Sequence, residues 1–118
     1  MQYLLLIYED EAALPRHIEA DPDFLPSYGR LSAALKASGE WIAGEPLRPT
    51  ATATSVRVRN GEVLLTDGPF AETREQLGGF FLVEAENLDR AVAIAARIPS
   101  ARNGTIEVRP IEKWTGEG

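Results

Sequence analysis

Two short segments of this chain are apolar at every position, and they restrict the folds that it can adopt. The runs are Leu4-Leu5-Leu6-Ile7 and Phe80-Phe81-Leu82-Val83. Each is too short for a free-standing helix, so both are predicted to be β-strands, whose side chains point alternately to opposite faces. Because both faces of these strands are apolar, the sheet that contains them needs cover on both sides.

Two helices are predicted to cover one side of that sheet. Asp23 is expected to cap a helix over about residues 24–38, which Gly39 ends, and Asn87 is expected to cap a second helix, which Pro99 ends. Apolar residues recur at helical spacing in both segments, which favours one buried face in each. These residues are Phe24, Tyr28, Leu31 and Leu35 in the first helix, and Leu88, Ala91, Val92, Ala95 and Ile98 in the second.

The clearest local signal is a β-hairpin over residues 54–66. Asn60-Gly61 favours a type I′ turn, which pairs Arg59 with Glu62 and Val58 with Val63. One face of the hairpin then gathers Val56, Val58, Val63 and Leu65. Further strands are predicted at 41–43, 79–84 and 105–109. Prolines and polar residues predict loops at 9–22 and 44–53, and residues 112–118 read as a short tail with Trp114.

The order of these elements predicts one α+β domain over residues 1–118, with a ferredoxin-like βαββαβ plan and an extra hairpin. Its two helices cover one face of the sheet. The second apolar face is expected to pack on the same face of a second copy, which gives a homodimer with a barrel-like sandwich of two sheets. The alternative is that the strand flanks or the 44–53 loop fold over that face.

Composition narrows the classes of function. The net charge of -6 is the opposite of what a phosphate-backbone binder needs, so no nucleic acid partner is expected. The chain has no cysteine and one histidine, and no glycine-rich phosphate motif occurs, so neither a metal site nor a cofactor is predicted. No long apolar span predicts a membrane segment, and a cytoplasmic protein is expected.

The segment from Thr66 to Gly79, TDGPFAETREQLGG, reads as a long loop of the kind that often carries function. Asp67 has two readings: a turn residue whose carboxylate accepts backbone hydrogen bonds, or a general base at the rim of a cleft. Residues 72–77 are predicted to form one or two helical turns. There Arg74 either binds an anion or is solvated.

Other candidate site residues are separated along the chain. His17, in the predicted 9–22 loop, is either a solvated surface residue or a catalytic partner of Asp67. Tyr28 and Trp41, with Tyr3 or Tyr8, are candidates for the aromatic wall of a pocket, although aromatic residues at such spacing are often simple core. Arg57 and Arg109 either bind an anionic ligand in the dimer cavity or pair with Glu62 and Glu107 in solvent.

The run TDGPFAETREQLGGFFLVEAENLDRAVAIAARIPSARNGTIEVRPI resembles the signature half of the DGPF proteins, a bacterial branch of the YCII-related family. MQYLLLIYEDE, ASGEWIAGEPLRP and TATSVRVRNGEVLLTDGPF are similar to the same family. The resemblance implies a dimeric α+β barrel on a ferredoxin-like fold. It also implies a His–Asp pair in a cleft, with Asp67 as the acidic member, and a genomic association with sigma factors of the extracytoplasmic-function type.

Three functions therefore stay open, in this order. The first is a small-molecule-binding or regulatory homodimer with a link to sigma-factor control of transcription. The second is a cofactor-free enzyme that uses Asp67 as acid or base, and the third is a structural or interaction module. A pocket with Asp67 beside a second titratable group favours the enzyme, and an aromatic pocket without that pair favours binding.

Overall fold

The computed structural model describes residues 1–113 of the chain. The part of the predicted tail from Trp114 onward lies outside the described residues. The strands of the described part are β1 (Gln2–Glu9), β2 (Trp41–Pro46), β3 (Thr54–Arg59), β4 (Glu62–Asp67), β5 (Gln76–Glu84) and β6 (Thr105–Pro110). The α-helices are α1 (Leu14–Ala20), α2 (Phe24–Ser38) and α3 (Leu88–Arg97), and short 3₁₀ turns cover Thr50–Thr52 and Pro99–Arg102.

The main sheet has four strands in the order β2-β5-β1-β6, and all of its neighbours are antiparallel. The predicted α+β class and the βαββαβ order with an extra hairpin are confirmed. The two apolar runs lie on β1 and β5, the central strands. Since a central strand is paired along both edges, only its two faces are left for side-chain packing.

The core lies between one face of this sheet and the helices α2 and α3. Tyr3, Leu5 and Ile7 of β1 point into it, as do Phe81 and Val83 of β5. They pack on Leu31 and Leu35 of α2 and on the buried residues of α3 and its end, which are Ala91, Ile94, Ala95 and Ile98. The molecule is 19 Å thick along its shortest axis, as expected for one sheet and one layer of helices.

The other face of the sheet, here called the open face, has no helix layer. Leu4 lies opposite Leu82 and Leu6 lies opposite Phe80, and all four side chains are only partly buried. Arg109 and Glu107 of β6 flank them, opposite Leu4 and Leu6 respectively. The open face is thus apolar at its centre and charged along one edge.

The hairpin β3–β4 is a separate two-stranded sheet with the predicted register, which includes Val58 opposite Val63 and Arg59 opposite Glu62. Asn60 and Gly61 have φ values of 51° and 78°, as a type I′ turn requires. The four apolar side chains of one face, Val56, Val58, Val63 and Leu65, are 58% to 68% exposed. An isolated hairpin is marginally stable in water, so this one calls for a further packing partner.

Three details of the predicted elements are wrong. The 9–22 loop contains α1, because Pro15 stands in its first turn, where a missing N–H costs nothing. Residues 72–77 form no helical turn: β5 begins at Gln76 rather than Gly79, so the loop is shorter than predicted. Strand β2 runs on to Pro46 through a bulge after Trp41.

The helix ends follow the sequence at three of four positions, and one of the three is the end of α3 just before Pro99. Asn87 Oδ1 accepts a hydrogen bond from Arg90 N at 2.9 Å, and Gly39 ends α2 with φ 80°. Asp23 occupies the N-cap position of α2, but its carboxylate pairs with Arg30 instead of capping. Helix α3 is rotated from the predicted face, since Ile94 is buried while Leu88 and Val92 are about half exposed.

An ion pair ties the end of α2 to the start of α3. Arg90 donates from Nε and Nη2 to the two carboxylate oxygens of Glu40, both at 2.7 Å. These bonds, with a further one from Ser38, lower the pKa of Glu40 to about 2. Such planar, two-point pairing is the strong form of an Arg–carboxylate contact.

We expect Glu40→Gln to lower the melting temperature by several degrees at neutral pH. The folded state holds Glu40 with a depressed pKa, so its stabilising effect is complete above the ordinary value of about 4.3 and is lost as the pH falls toward 2. The gap between wild type and variant should therefore close across that range in thermal melts. Asp23→Asn is the control: its pair with Arg30 is exposed on both sides, and its loss should change little.

None of the helices in the described part of the chain is long and apolar enough to cross a membrane.

Candidate functional site

A cavity of about 490 Å³ opens between α1, α2 and the β2 edge of the main sheet. Its walls come from Leu14 and Ile18 of α1, from the start of α2, and from β2 with the strand beside it. Most of its lining is apolar or aromatic, which is the usual character of a small-molecule site. Glu9, at the end of β1, is the lining residue whose carboxylate is half-buried.

Four aromatic rings form a continuous wall on this side of the molecule. Phe24 packs edge-on against Tyr28, Tyr28 against Phe81, and Phe81 against Trp41, with ring centroids 5.8, 6.2 and 4.9 Å apart. The Trp41 ring packs against Gly44, where a Cβ would come within 2.5 Å of that ring. Gly44 is therefore required for the position of the indole.

The polar end of the cavity is a chain of three hydrogen-bonded side chains. Ser100, fully buried behind the cavity, donates from Oγ to Glu9 Oε1 at 3.1 Å. Its Oγ also shares a short hydrogen bond with the Tyr28 hydroxyl. A serine has one hydroxyl hydrogen, and an ionised carboxylate only accepts. The order is therefore Tyr28 to Ser100 to Glu9, with each hydroxyl donating to the next oxygen.

Burial raises the pKa of Glu9 above its usual range, although the hydrogen bond from Ser100 and the charge of His17 lower it in part. Burial also raises the pKa of Tyr28, and the nearby charge of Glu9 adds to that rise. A carboxyl with a raised pKa in a cavity is a candidate for binding or for acid–base chemistry.

The predicted site residues fall into two groups. Tyr28 and Trp41 both line the cavity, as the aromatic-wall prediction has it. His17 lies on α1, and its charge acts on Glu9. Asp67 is exposed at the end of β4 and does not line this cavity. No hydrogen bond or ion pair joins His17 to Asp67 within residues 1–113.

Asp67 begins a turn whose geometry comes from its neighbours. Gly68 has φ 91°, its N–H donates to Ala53 O at 2.7 Å, and its carbonyl accepts from Ser55 Oγ at 2.8 Å. The Asp67 carboxylate accepts no hydrogen bond from the described residues, so the turn does not depend on it. Its catalytic role stays a prediction.

The three arginines considered as anion-binding candidates, Arg57, Arg74 and Arg109, lie outside this cavity as well, and Arg57 is exposed on β3. Arg74 is exposed in the loop before β5, and Arg109 is exposed on β6, beside the open face. Their anion-binding role stays a prediction for another surface. Within residues 1–113 there is no cluster of three or more histidine, aspartate or glutamate side chains that would hold a metal ion.

Glu9 and Ser100 are the site residues that sequence reasoning missed. The sequence places Glu9 in the predicted polar loop over residues 9–22. The alternation of side chains along β1 indicates that Glu9 belongs to the site. Tyr3, Leu5 and Ile7 are buried toward the helices, and Glu9 continues the same face. An acidic residue at a core position of a strand is unusual enough to indicate a site.

We expect Glu9→Gln to change how stability depends on pH. The raised pKa means that the folded state binds more protons than the unfolded state between the ordinary value and the raised one. Wild type therefore loses stability as the pH rises through the raised pKa, and the glutamine variant does not. As the pH rises through that range, the melting temperature of Glu9→Gln should increase by a few degrees relative to that of wild type. Glu19→Gln changes an exposed residue of α1 and is the control: its melting temperature should depend on pH as that of wild type does.

Comparisons with known proteins agree with this architecture. The model of the YCII-related domain family matches residues 1–115. An uncharacterised protein of Rhizobium meliloti is 34% identical over 114 residues, which cover 94% of this chain and 92% of that protein. Among solved structures, 5-chloro-2-hydroxyhydroquinone dehydrochlorinase of Burkholderia phenoliruptrix, in complex with 2,5-dihydroxybenzoquinone, matches with a TM-score of 0.53 and 17% identity over 98% of this chain and 94% of that one. At that identity, the likeness is one of fold.

Proposed function

This chain belongs to the YCII-related family, and from that premise we propose that it is a small-molecule-binding homodimer with a regulatory role. The observation that carries the proposal is the cavity between α1, α2 and the β2 edge. Its volume, its aromatic wall and its one half-buried carboxylate suit a ligand of modest size. The aromatic pocket without an Asp67–His17 pair favours binding over catalysis by that pair.

The homodimer is supported by surfaces that a single copy leaves uncovered. The open face exposes part of Leu4, Leu6, Phe80 and Leu82, and the hairpin exposes a second apolar patch. The accessible surface is 8262 Å², whereas a compact monomer of this mass has roughly 6,300 Å². We propose that two open faces pack on each other, which forms the barrel-like sandwich and also gives each hairpin a surface to pack against.

The regulatory link is to sigma factors of the extracytoplasmic-function type, in the cytoplasm of a bacterium. It is supported by the DGPF-like run from Asp67 to Gly79. The loop between β4 and β5, in which Phe70 is exposed, offers a surface for a protein partner. The test uses a purified sigma factor encoded beside this protein. Its affinity is measured once for the ligand-free dimer and once for the ligand-bound dimer. Equal affinity of the two forms, or no binding by either, contradicts a ligand-controlled link.

Ligand binding is tested first by thermal shift against a metabolite panel, with Trp41→Ala, Tyr28→Phe and Asp67→Asn alongside wild type. A ligand at a hundred times its Kd should stabilise wild type by about 2.7 kcal/mol. Trp41→Ala should abolish that shift, and Asp67→Asn should keep it in full. A shift that is lost in Asp67→Asn but kept in Trp41→Ala places binding at the hairpin end and contradicts the cavity.

A cofactor-free enzyme is the second candidate, and one observation favours it. Glu9 has the half-buried position and raised pKa of a general acid or base, and the solved neighbour of similar fold is a dehydrochlorinase bound to a hydroxylated quinone. Asp67, the residue that the sequence indicates for this role, does not line the cavity. It would act only in a separate cleft that a second copy completes. Turnover of chlorinated hydroquinones by wild type, reduced at least a hundredfold in Glu9→Gln, would establish the enzyme.

A further inference from the structure

We propose that the cavity between α1, α2 and the β2 edge takes an organic cation: a protonated amine on a flat, apolar ring. The amine lies against Glu9 and the ring lies against the aromatic wall. This inference rests on the proposed small-molecule function of the same cavity and adds the chemical class of the ligand.

The first argument is charge. Seventeen residues line the cavity; two of them, Glu9 and Glu45, are acidic, and none is lysine, arginine or histidine. Glu45 is exposed on β2, so the half-buried charge belongs to Glu9. A carboxylate or phosphate in this cavity would meet a like charge with no lysine, arginine or histidine among the lining residues to offset it, which costs binding energy. His17, whose charge acts on Glu9, is not one of the lining residues. A cationic group would instead neutralise a carboxylate that burial disfavours.

The second argument is the direction of the hydrogen bonds. Tyr28 donates to Ser100, and Ser100 donates to Glu9. Both hydroxyl hydrogens of this hydrogen-bonded series therefore point toward the Glu9 carboxylate. Glu9 Oε2 accepts no hydrogen bond from the described residues. The polar end of the cavity therefore offers acceptor lone pairs, and it suits a ligand group that donates. An ammonium group is such a donor, whereas a carboxylate is an acceptor only.

The third argument is the shape beside Glu9. Gly78 and Gly79 form the strand floor, and a Cβ at Gly78 would approach Glu9 Oε1 to 3.4 Å. The absent side chain leaves the carboxylate accessible from the cavity. The Tyr28, Phe81 and Trp41 rings stand next to this floor, and aromatic rings attract cations and pack on flat apolar groups. Lys36 Nζ already lies 5.4 Å from the centre of the Trp41 ring, an ammonium contact of the same kind.

The test uses three probes of the same shape and different charge: phenethylamine, phenethyl alcohol and hydrocinnamate. Each is titrated by calorimetry into the full-length protein near pH 8, above the range in which histidines usually take up protons. We expect the amine to bind at least tenfold more tightly than the alcohol, and hydrocinnamate to bind most weakly. In Glu9→Gln the preference for the amine should disappear, while affinity for the alcohol should stay within about threefold of wild type.

The outcomes separate this inference from the function it rests on. Equal binding of the three probes, a preference for hydrocinnamate, or an amine preference that survives Glu9→Gln overturns the assignment of a cation and leaves the cavity as a binding site. Binding that Trp41→Ala does not weaken places the probes elsewhere and overturns both proposals. Absence of binding by all three probes at millimolar concentration overturns the assignment of an aromatic amine, and the metabolite panel then decides the binding function.

Discussion

Gly104→Ala should lower the free energy of unfolding by roughly 3 kcal/mol, which is a large effect for the addition of one methyl group. A Cβ at this position would lie 2.1 Å from Tyr8 O and 3.2 Å from Glu9 Cα. These are backbone atoms at the end of β1, so no side-chain rotation relieves the contact. The start of β6 must then move away from β1, and the paired residues Tyr8 and Thr105 must separate.

The same change should also disturb the cavity. Gly104 N donates to Ser100 O at 2.7 Å, so a shift of Gly104 moves the turn that holds Ser100 against Glu9. The variant that stays folded should therefore lose ligand affinity as well as stability.

Urea denaturation measures the stability effect, and Gly29→Ala is the matched control. Gly29 lies within α2 with no atom within 4 Å of an added Cβ, so alanine there should raise stability by up to about 1 kcal/mol. If Gly104→Ala unfolds at the wild-type urea concentration, β1 and β6 are not held as closely as the structure has them.

Sequence predicted well those parts of the fold whose structure is fixed by residues close together in the chain. Asn60-Gly61 sets the turn of the hairpin, and one turn type fixes the whole register of β3 with β4. Asn87 and Gly39 act on their own helix ends. Helix α1 was missed because its short, proline-containing segment has little propensity of its own, and its place depends on packing beside α2.

The site was predictable only in part, because it is assembled across the chain. Tyr28 and Trp41 were found as aromatic residues near predicted apolar faces. Ser100 lies 72 positions from Tyr28 and 91 from Glu9, so its contacts depend on how β1, α2 and the turn after α3 meet. The run around Asp67 has an unusual composition and was therefore singled out. Glu9 is indicated only by its position on the buried face of β1.

The same parity argument leads to the surface through which two copies are proposed to meet. Phe81 and Val83 are buried toward the helices, so Leu82 between them points to the open face, directly opposite Leu4. In one copy this side chain is partly exposed, and a charge there stays in contact with water. Between two packed sheets, the same charge would be buried without a partner.

Leu82→Glu should therefore weaken dimerisation by at least about a hundredfold, because an uncompensated buried charge costs several kcal/mol and the two-fold axis places two of them in one interface. The monomer should stay folded, with a circular dichroism spectrum like that of wild type. Light scattering and sedimentation over a dilution series measure the effect. Val92→Glu, which adds the same charge at a half-exposed site on α3, is the control and should leave the dimer intact. A wild-type protein that is monomeric at micromolar concentration contradicts the dimer itself, whereas a Leu82→Glu variant that dimerises as tightly as wild type moves the interface away from the open face.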